Sequence, residues 1–466
     1  MGKLKKGIFV VFIANIINLS VSIIRNFILP KYLSVETYAD IKMYQLYISY
    51  AGLAALGYID GMYLKYGGKS IDSIDGSDLK LNRSTFRIFE FCISLTLLII
   101  GLIRKDIIFV AMSASFFAMN MADYYRCFFQ ATGEFSIYSR IMNLSSLLTL
   151  IITLVLLFVV RTDNSIIYIF GSVFVYYFVW ILLEIRNTNK DNGLRCLFSF
   201  SELKFSVTTG IALMLGTLLS TFMTGLDRWF VKFTLSTYDF AMYSFAASTV
   251  GFLSYAISPI SITLYNYFCS EKNEKNINKI RDIIIIFLSG IICLVFPIKF
   301  VIEYYLPKYS AAVNVIVILF ASQLVYGLTR CFYVNLYKAE KRQVEYFKGI
   351  VFVTIMGVLF NAGFFFIYKH SEAYAIGTFF AGVVWLLLCN VHFKKYKLSL
   401  INYFYSIIIC SSFVLCGLLF RSFIGFIVYF IIFIGVSYLM MKDSFVELIL
   451  MGKNQLFDIL HKIRKE

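Results

Sequence analysis

Proline is nearly missing from this chain, four residues in 466, and charge is thin, with Asp, Glu, Lys and Arg together making 15%. So few helix breakers leave long stretches free to run as uninterrupted helix. So little charge cannot clothe a soluble fold of this size. Histidine is scarcer still: His370, His392 and His461 lie far apart and form no metal-ligating cluster. The nine cysteines are scattered, odd in number and free of CxxC spacing, so they read as small core residues rather than a disulfide or zinc framework. "YLKYGGKS" at 63–70 ends like a phosphate loop, but Tyr63 stands where the first glycine is required, and no ATPase domain accompanies it. No polar segment is long enough to fold separately. That argues against a nucleic-acid-binding surface despite the net charge of +16. It also argues against a membrane glycosyltransferase or polymerase, which needs catalytic residues on a substantial extracytoplasmic loop.

What is there is apolar: 60% of residues are hydrophobic and the mean hydropathy is +0.78. Runs of about 20 apolar residues, enough for the roughly 30 Å hydrocarbon core, recur from residue 7 to residue 441. The alternating pattern of a membrane β-barrel is absent. Fourteen spans are expected, at 7–29, 38–64, 84–103, 107–131, 136–160, 165–186, 206–229, 239–268, 281–302, 310–336, 344–367, 373–392, 399–419 and 423–441. The first run is too long for a signal peptide, contains Arg25 and lacks a small-residue cleavage site, so it reads as a first span. An inside N-terminus puts 30 of the 43 basic residues on cytoplasmic segments and helix ends and ten on outer connections, which predicts both termini in the cytoplasm. The same loops are expected to touch anionic membrane lipids. Most of the 33 Tyr and 49 Phe are expected to face lipid or pack helices rather than stack on sugar. Phe445, Leu448, Ile449, Leu456, Ile459, Leu460 and Ile463 recur at helical spacing, which predicts an amphipathic tail helix on the inner leaflet.

An internal repeat organises the chain. "YLSVETYADIKMY" at 32–44 echoes "TLSTYDFAMYSFA" at 234–246, with Leu33, Ser34, Tyr38 and Ala39 on Leu235, Ser236, Phe240 and Ala241 at an offset of 202. "FQATGEFSIYSRI" at 129–141 echoes "YKAEKRQVEYFKG" at 337–349, with Ala131 on Ala339 and Tyr138 on Tyr346 at an offset of 208. The expected fold is an all-α integral membrane protein of two pseudo-symmetric six-helix bundles around a central cavity, plus two C-terminal helices. The lobes are placed at 1–193 and 203–397, the added spans at 398–443 and the tail at 444–466. Such an arrangement puts the substrate path between the lobes.

Four stretches carry a family likeness: "RNFILPKYLSVETYADIKMYQLY", "YIDGMYLKYGGK", "QATGEFSIYSRI" and "GLDRWFVKFTLSTYDFAMYSFA" at 225–246. Together they resemble the polysaccharide-biosynthesis (O-antigen) flippases of the Wzx type, within the multidrug/oligosaccharidyl-lipid/polysaccharide exporter superfamily, over most of residues 1 to about 395. The resemblance implies a secondary transporter of the bacterial cytoplasmic membrane, not an enzyme. It implies alternating-access movement of undecaprenyl-diphosphate-linked oligosaccharide repeat units for surface polysaccharide, with no cofactor, coupling to a proton or sodium gradient, and association with polysaccharide polymerase machinery. The two extra spans are similar to those of lipid II flippases. A multidrug or cation exporter of the same superfamily is the rival, and its cavity would be acidic rather than basic.

The intramembrane charges are the candidate site. Arg25 and Asp40 flank the first hairpin, with Pro30 expected to break the first helix between them. One reading makes them an ion-paired clip, the other makes Arg25 a cation that receives diphosphate; a lone intramembrane arginine costs about 2.5–3.5 kcal/mol on insertion scales and is seldom kept without a partner or a watery cavity. At the 202 offset Arg25 falls on Asp227 and Asn26 on Arg228. Adjacent residues point to different helix faces, so Arg228 is either free for a ligand or snorkels to headgroups. Asp123 and Arg330 fall at near-equivalent levels, as an inner gate or as an Asp123–Arg126 contact with Arg330 reaching water. Asp60 either carries the coupling ion or caps its helix, and Lys42, also inside a span, joins this gating and coupling group.

Overall fold

The computed structural model describes residues 2–188, 197–270 and 273–463, and they are helical almost throughout. In chain order the helices are α1 Gly2–Tyr32, α2 Val35–Ile48, α3 Tyr58–Tyr66, α4 Gly76–Arg104, α5 Ile107–Ala131, α6 Phe135–Val155, α7 Ser165–Thr188, α8 Phe200–Thr234, α9 Thr237–Val250 and α10 Leu253–Ser270. There follow α11 Glu274–Ile291, α12 Val295–Tyr305, α13 Ala312–Leu328, α14 Val334–Ala339, α15 Gln343–Ile367, α16 Ser371–His392, α17 Leu400–Leu419, α18 Ser422–Met440 and α19 Lys442–Ile463. Twelve helical runs among the described residues are long and apolar enough to cross a membrane. The other two expected spans are α1 and the α2–α3 pair, whose parts have 14 and 9 residues and are each too short to span alone. The protein is a multi-pass helical membrane protein.

Several expected spans are interrupted rather than continuous. The span at 38–64 breaks over residues 49–57, that at 239–268 at 251–252, and that at 281–302 in a 3₁₀ turn at Ile292–Leu294. The span at 310–336 contains a π-helical turn, Thr329–Tyr333. Pro30 does not end α1 where the sequence suggests: it sits in the last turn and the helix runs on to Tyr32. Proline removes only its own donor, and Leu33 N–H still reaches the Leu29 carbonyl at 3.0 Å.

The repeat is visible in backbone geometry. The 14-residue helices α2 and α9 begin 202 residues apart, each capped by a serine hydroxyl, Ser34 on Thr37 N–H and Ser236 on Asp239 N–H. The turns that end α5 and α14 share their hydrogen bonds at the 208 offset. Glu134 N–H reaches Phe129 O at 2.8 Å, as Arg342 N–H reaches Tyr337 O at 2.8 Å. Gly133 and Lys341 both take positive φ there, 76° and 57°.

Contacts divide the chain into a unit of residues 1–225 and a unit of residues 226–466, a boundary that falls inside α8. In the first unit, Tyr58, Met62, Phe86, Met121, Tyr124 and Phe128 form an aromatic core among α3, α4 and α5. Its buried tyrosines are hydrogen-bonding struts: Tyr58 donates to Asn82 O at 2.8 Å, Tyr124 to Asn82 Oδ1 at 2.7 Å and Tyr125 to Glu184 Oε2 at 2.8 Å. The α3–α8 contact is backbone to backbone. A Cβ on Gly61 would stand 1.9 Å from Ser206 O, and one on Gly210 would stand 2.0 Å from Gly57 O. In the second unit α13 packs against α9, α11, α16 and α17. Buried Lys299 on α12 donates to Gly417 O at 2.7 Å and Phe420 O at 2.6 Å, supplying donors that the C-terminus of α17 lacks. Tyr429 on α18 donates to Ser289 O on α11 at 2.8 Å, so both late spans belong to this unit. The tail helix α19 packs on α11 and α18, with Lys279 paired to Glu447 at 2.6 Å. The side chains of Leu456, Ile459, Leu460 and Ile463, and all of Arg464 and Lys465, lie outside the described residues.

Candidate functional site

In the first unit, Arg25 and Asp40 are not brought together. Asp40 Oδ2 instead accepts from the Ser165 hydroxyl at 2.8 Å, and the same end of α2 is clasped by Asp163. The Asp163 carboxylate takes Ser34 N–H at 3.0 Å, and its carbonyl takes the Thr37 hydroxyl at 2.7 Å. Residues 37 and 40 share a helix face, and that face is turned to the start of α7. The hairpin is closed one residue along from Arg25. Asn26 Oδ1 receives Lys42 Nζ at 3.4 Å and the Tyr38 hydroxyl at 3.5 Å, while the ammonium lies 5.2 Å from the Tyr38 ring centre. Lys42 is thereby a hairpin contact. Arg25 is left on another face of α1, half-buried, its Nε without a hydrogen-bond partner and the Tyr176 and Tyr38 hydroxyls within electrostatic reach.

Tyr176 on α7 is also within reach of Asp123 on α5, so Arg25, Tyr176 and Asp123 succeed one another across three helices. Asp123 pairs with Arg126 at 3.1 Å, one turn along α5. Asp60 is half-buried in the first turn of α3, where a carboxylate complements the helix N-terminus. Asp60 and Asp123 both lie within electrostatic reach of Cys127.

In the second unit, buried Asp227 is fully engaged. Its carboxylate accepts from Arg228 N–H at 2.8 Å, the Tyr243 hydroxyl at 2.7 Å and the Thr378 hydroxyl at 3.4 Å. Three donors on one carboxylate make it an anchor joining α8, α9 and α16 rather than an open ligand. The Arg228 side chain lies within electrostatic reach of that carboxylate, half-buried, with its Nε unpartnered. Arg25 and Arg228 each stand shortly before the serine that caps the next helix, Ser34 and Ser236. Arg330 sits in the π-helical turn with its guanidinium 5.6 Å from the Tyr326 ring centre, a cation–π contact inside the unit. This unit also holds an apolar cavity of about 830 Å³ among α13, α16 and α17, lined by residues including Leu324, Phe379, Phe380, Leu387, Ile407 and Val414.

Sequence reasoning passed over several partly or fully buried polar groups. Lys65 on α3 bridges Asp78 and Glu202, each at 2.8 Å, and Asn82 also binds Glu202 at 2.5 Å, tying the start of α8 to α3 and α4. Glu90 on α4 bonds Asn120 on α5 at 2.7 Å. Outside the spans, the Ser77 hydroxyl and amide hold the Asp75 carboxyl below its usual range, and Glu274 at 3.0 Å raises the pKa of Lys395. No group of three His, Cys, Asp or Glu suited to a metal occurs among the described residues.

No protein-family model and no curated protein sequence matches the chain. Solved structures do. The fold is similar to that of the lipid II flippase MurJ in an inward closed conformation, with a TM-score of 0.64, 14% identity, and coverage of 94% of this chain and 99% of that one. It is also similar to an inward-facing multidrug resistance transporter of the MATE family and MOP superfamily, with a TM-score of 0.57, 14% identity, and coverage of 82% and 98%. These likenesses establish the fold.

Proposed function

We propose that the protein is a secondary transporter that flips a lipid-linked saccharide bearing a diphosphate across the bacterial cytoplasmic membrane, with both termini cytoplasmic. The observation that carries this reading is Arg25, a guanidinium within a spanning helix whose expected carboxylate is engaged elsewhere. A planar guanidinium donates two parallel hydrogen bonds to phosphate oxygens, and its desolvation is offset when that ligand arrives. The second unit offers both chemistries of such a ligand, a cation in Arg228 and an apolar cavity for a hydrocarbon chain. The fold shared with the lipid II flippase supports the same class of cargo. Within that class, an undecaprenyl-diphosphate-linked repeat unit destined for surface polysaccharide is the reading, which makes polymerase machinery a natural partner. Transport is driven by a proton or sodium gradient.

The test is reconstitution into liposomes with two cargoes, a polyprenyl-diphosphate saccharide and a lipophilic cationic dye. Flipping of the saccharide lipid with no dye efflux is expected. Dye efflux with no movement of the lipid would replace this reading with that of a cation exporter.

A further inference from the structure

Glu90 is fully enclosed between α4 and α5, 0% exposed, with Asn120 1% exposed beside it. Asn120 Nδ2 donates to Glu90 Oε1 at 2.7 Å and to the Ala51 carbonyl at 2.9 Å, which commits both amide hydrogens. The two oxygens left over, Glu90 Oε2 and Asn120 Oδ1, are buried acceptors with no donor. Ser94, one turn along α4, has a buried hydroxyl with no partner as well. The side chain that bonds Glu90 is therefore Asn120 from α5, which also reaches the Ala51 carbonyl. Among the described residues no charged group lies within electrostatic reach of it. Buried acceptors in native proteins are almost always paired, so two orphans on one bonded pair mark a missing donor.

We propose that Glu90 and Asn120 form a proton-binding site inside the first unit, the proton resting on Glu90 Oε2 and shared with Asn120 Oδ1. One added proton satisfies both orphans and closes an acid–amide ring with the Nδ2–Oε1 bond already present. A metal cation is the poorer occupant, because hard cations take about six or more oxygen ligands and this pair offers one carboxylate and one amide. Release of the proton leaves a bare carboxylate that needs water. Asn120 also holds the Ala51 carbonyl, at the start of the interruption between α2 and α3, so unloading the site and loosening that interruption are mechanically linked. This inference rests on the transporter reading for its purpose, coupling the proton gradient to transport, but not for its chemistry.

Infrared difference spectroscopy of the full-length protein in lipid, stepped in pH, reads the site without any cargo. Wild type is expected to lose one carboxylic-acid carbonyl band as pH rises, indifferent to sodium at constant pH. Glu90→Gln should lack the band, and Asn120→Ala should shift it toward that of an acid with no acceptor. In liposomes, Glu90→Gln should bind the saccharide lipid like wild type while its transport no longer responds to a pH gradient. A band that persists in Glu90→Gln, or that sodium abolishes in wild type, would overturn the proposal. If the band behaves as expected and the saccharide lipid is not carried, the site stands and the cargo assignment falls.

Discussion

A guanidinium inside a spanning helix costs about 2.5–3.5 kcal/mol on insertion scales, and among the described residues no carboxylate pairs with Arg25 to offset it, Asp40 being held by Ser165. Arg25→Ala is therefore expected to leave the amount of protein in the membrane unchanged or raised. A clip with Asp40 would have required a loss, by stranding the acid; quantitative immunoblotting of membranes decides between them. Tyr243→Phe should behave oppositely. It removes one donor from a buried carboxylate, which costs about 1–3 kcal/mol and should lower the unfolding temperature in detergent. At this scale the sequence was legible in type but not in pairing. That Arg25, Asp40 and Asp227 lie inside helices followed from the apolar runs around them. That Asp40 serves Ser165 and Asn26 closes the hairpin depends on helix rotation, where one residue means about 100°. Glu90 was missed because a carboxylate near the start of an apolar run looks like an ordinary cytoplasmic-end charge.

At the scale of elements, apolar runs located some span ends to within a residue, as at α5 and α17 behind the caps Asp106 and Ser399, but the span expected from 84 starts at Gly76, where Asp75 caps a polar first turn. The interruptions were not readable, since "SYAGLAALG" at 49–57 is as apolar as a continuous helix. What positions that break is tertiary: Gly57 takes φ +83°, and it and Gly61 lie against the backbone of α8. Gly61→Ala is thus expected to abolish accumulation of folded protein, because its Cβ would overlap Ser206 O. Gly216→Ala on α8 meets nothing within 4 Å and should be neutral or stabilising, by up to about 1 kcal/mol of helix propensity. Size-exclusion profiles of the two variants check the contrast. Lys299→Met should loosen α17, whose terminal carbonyls Gly417 and Phe420 lose their donor, and should raise hydrogen exchange at 415–422 selectively.

For the whole molecule, the basic residues predict orientation. In a cysteine-free background, a cysteine at Ser73 is expected to be protected from an impermeant thiol reagent added outside, and one at Asn164 to react; the reverse pattern would invert the topology. Function is the larger claim, and it turns on an arginine that makes no ion pair among the described residues and whose Nε has no hydrogen-bond partner. The most direct measurement is the rate of saccharide-lipid flipping in liposomes that hold equal amounts of wild type, Arg25→Ala and Arg25→Lys. Wild type should flip, Arg25→Ala should fall by about tenfold or more, the loss of one charge-assisted contact of roughly 1.5–3 kcal/mol, and Arg25→Lys should lie between. An Arg25→Ala protein that flips at the wild-type rate would contradict the account.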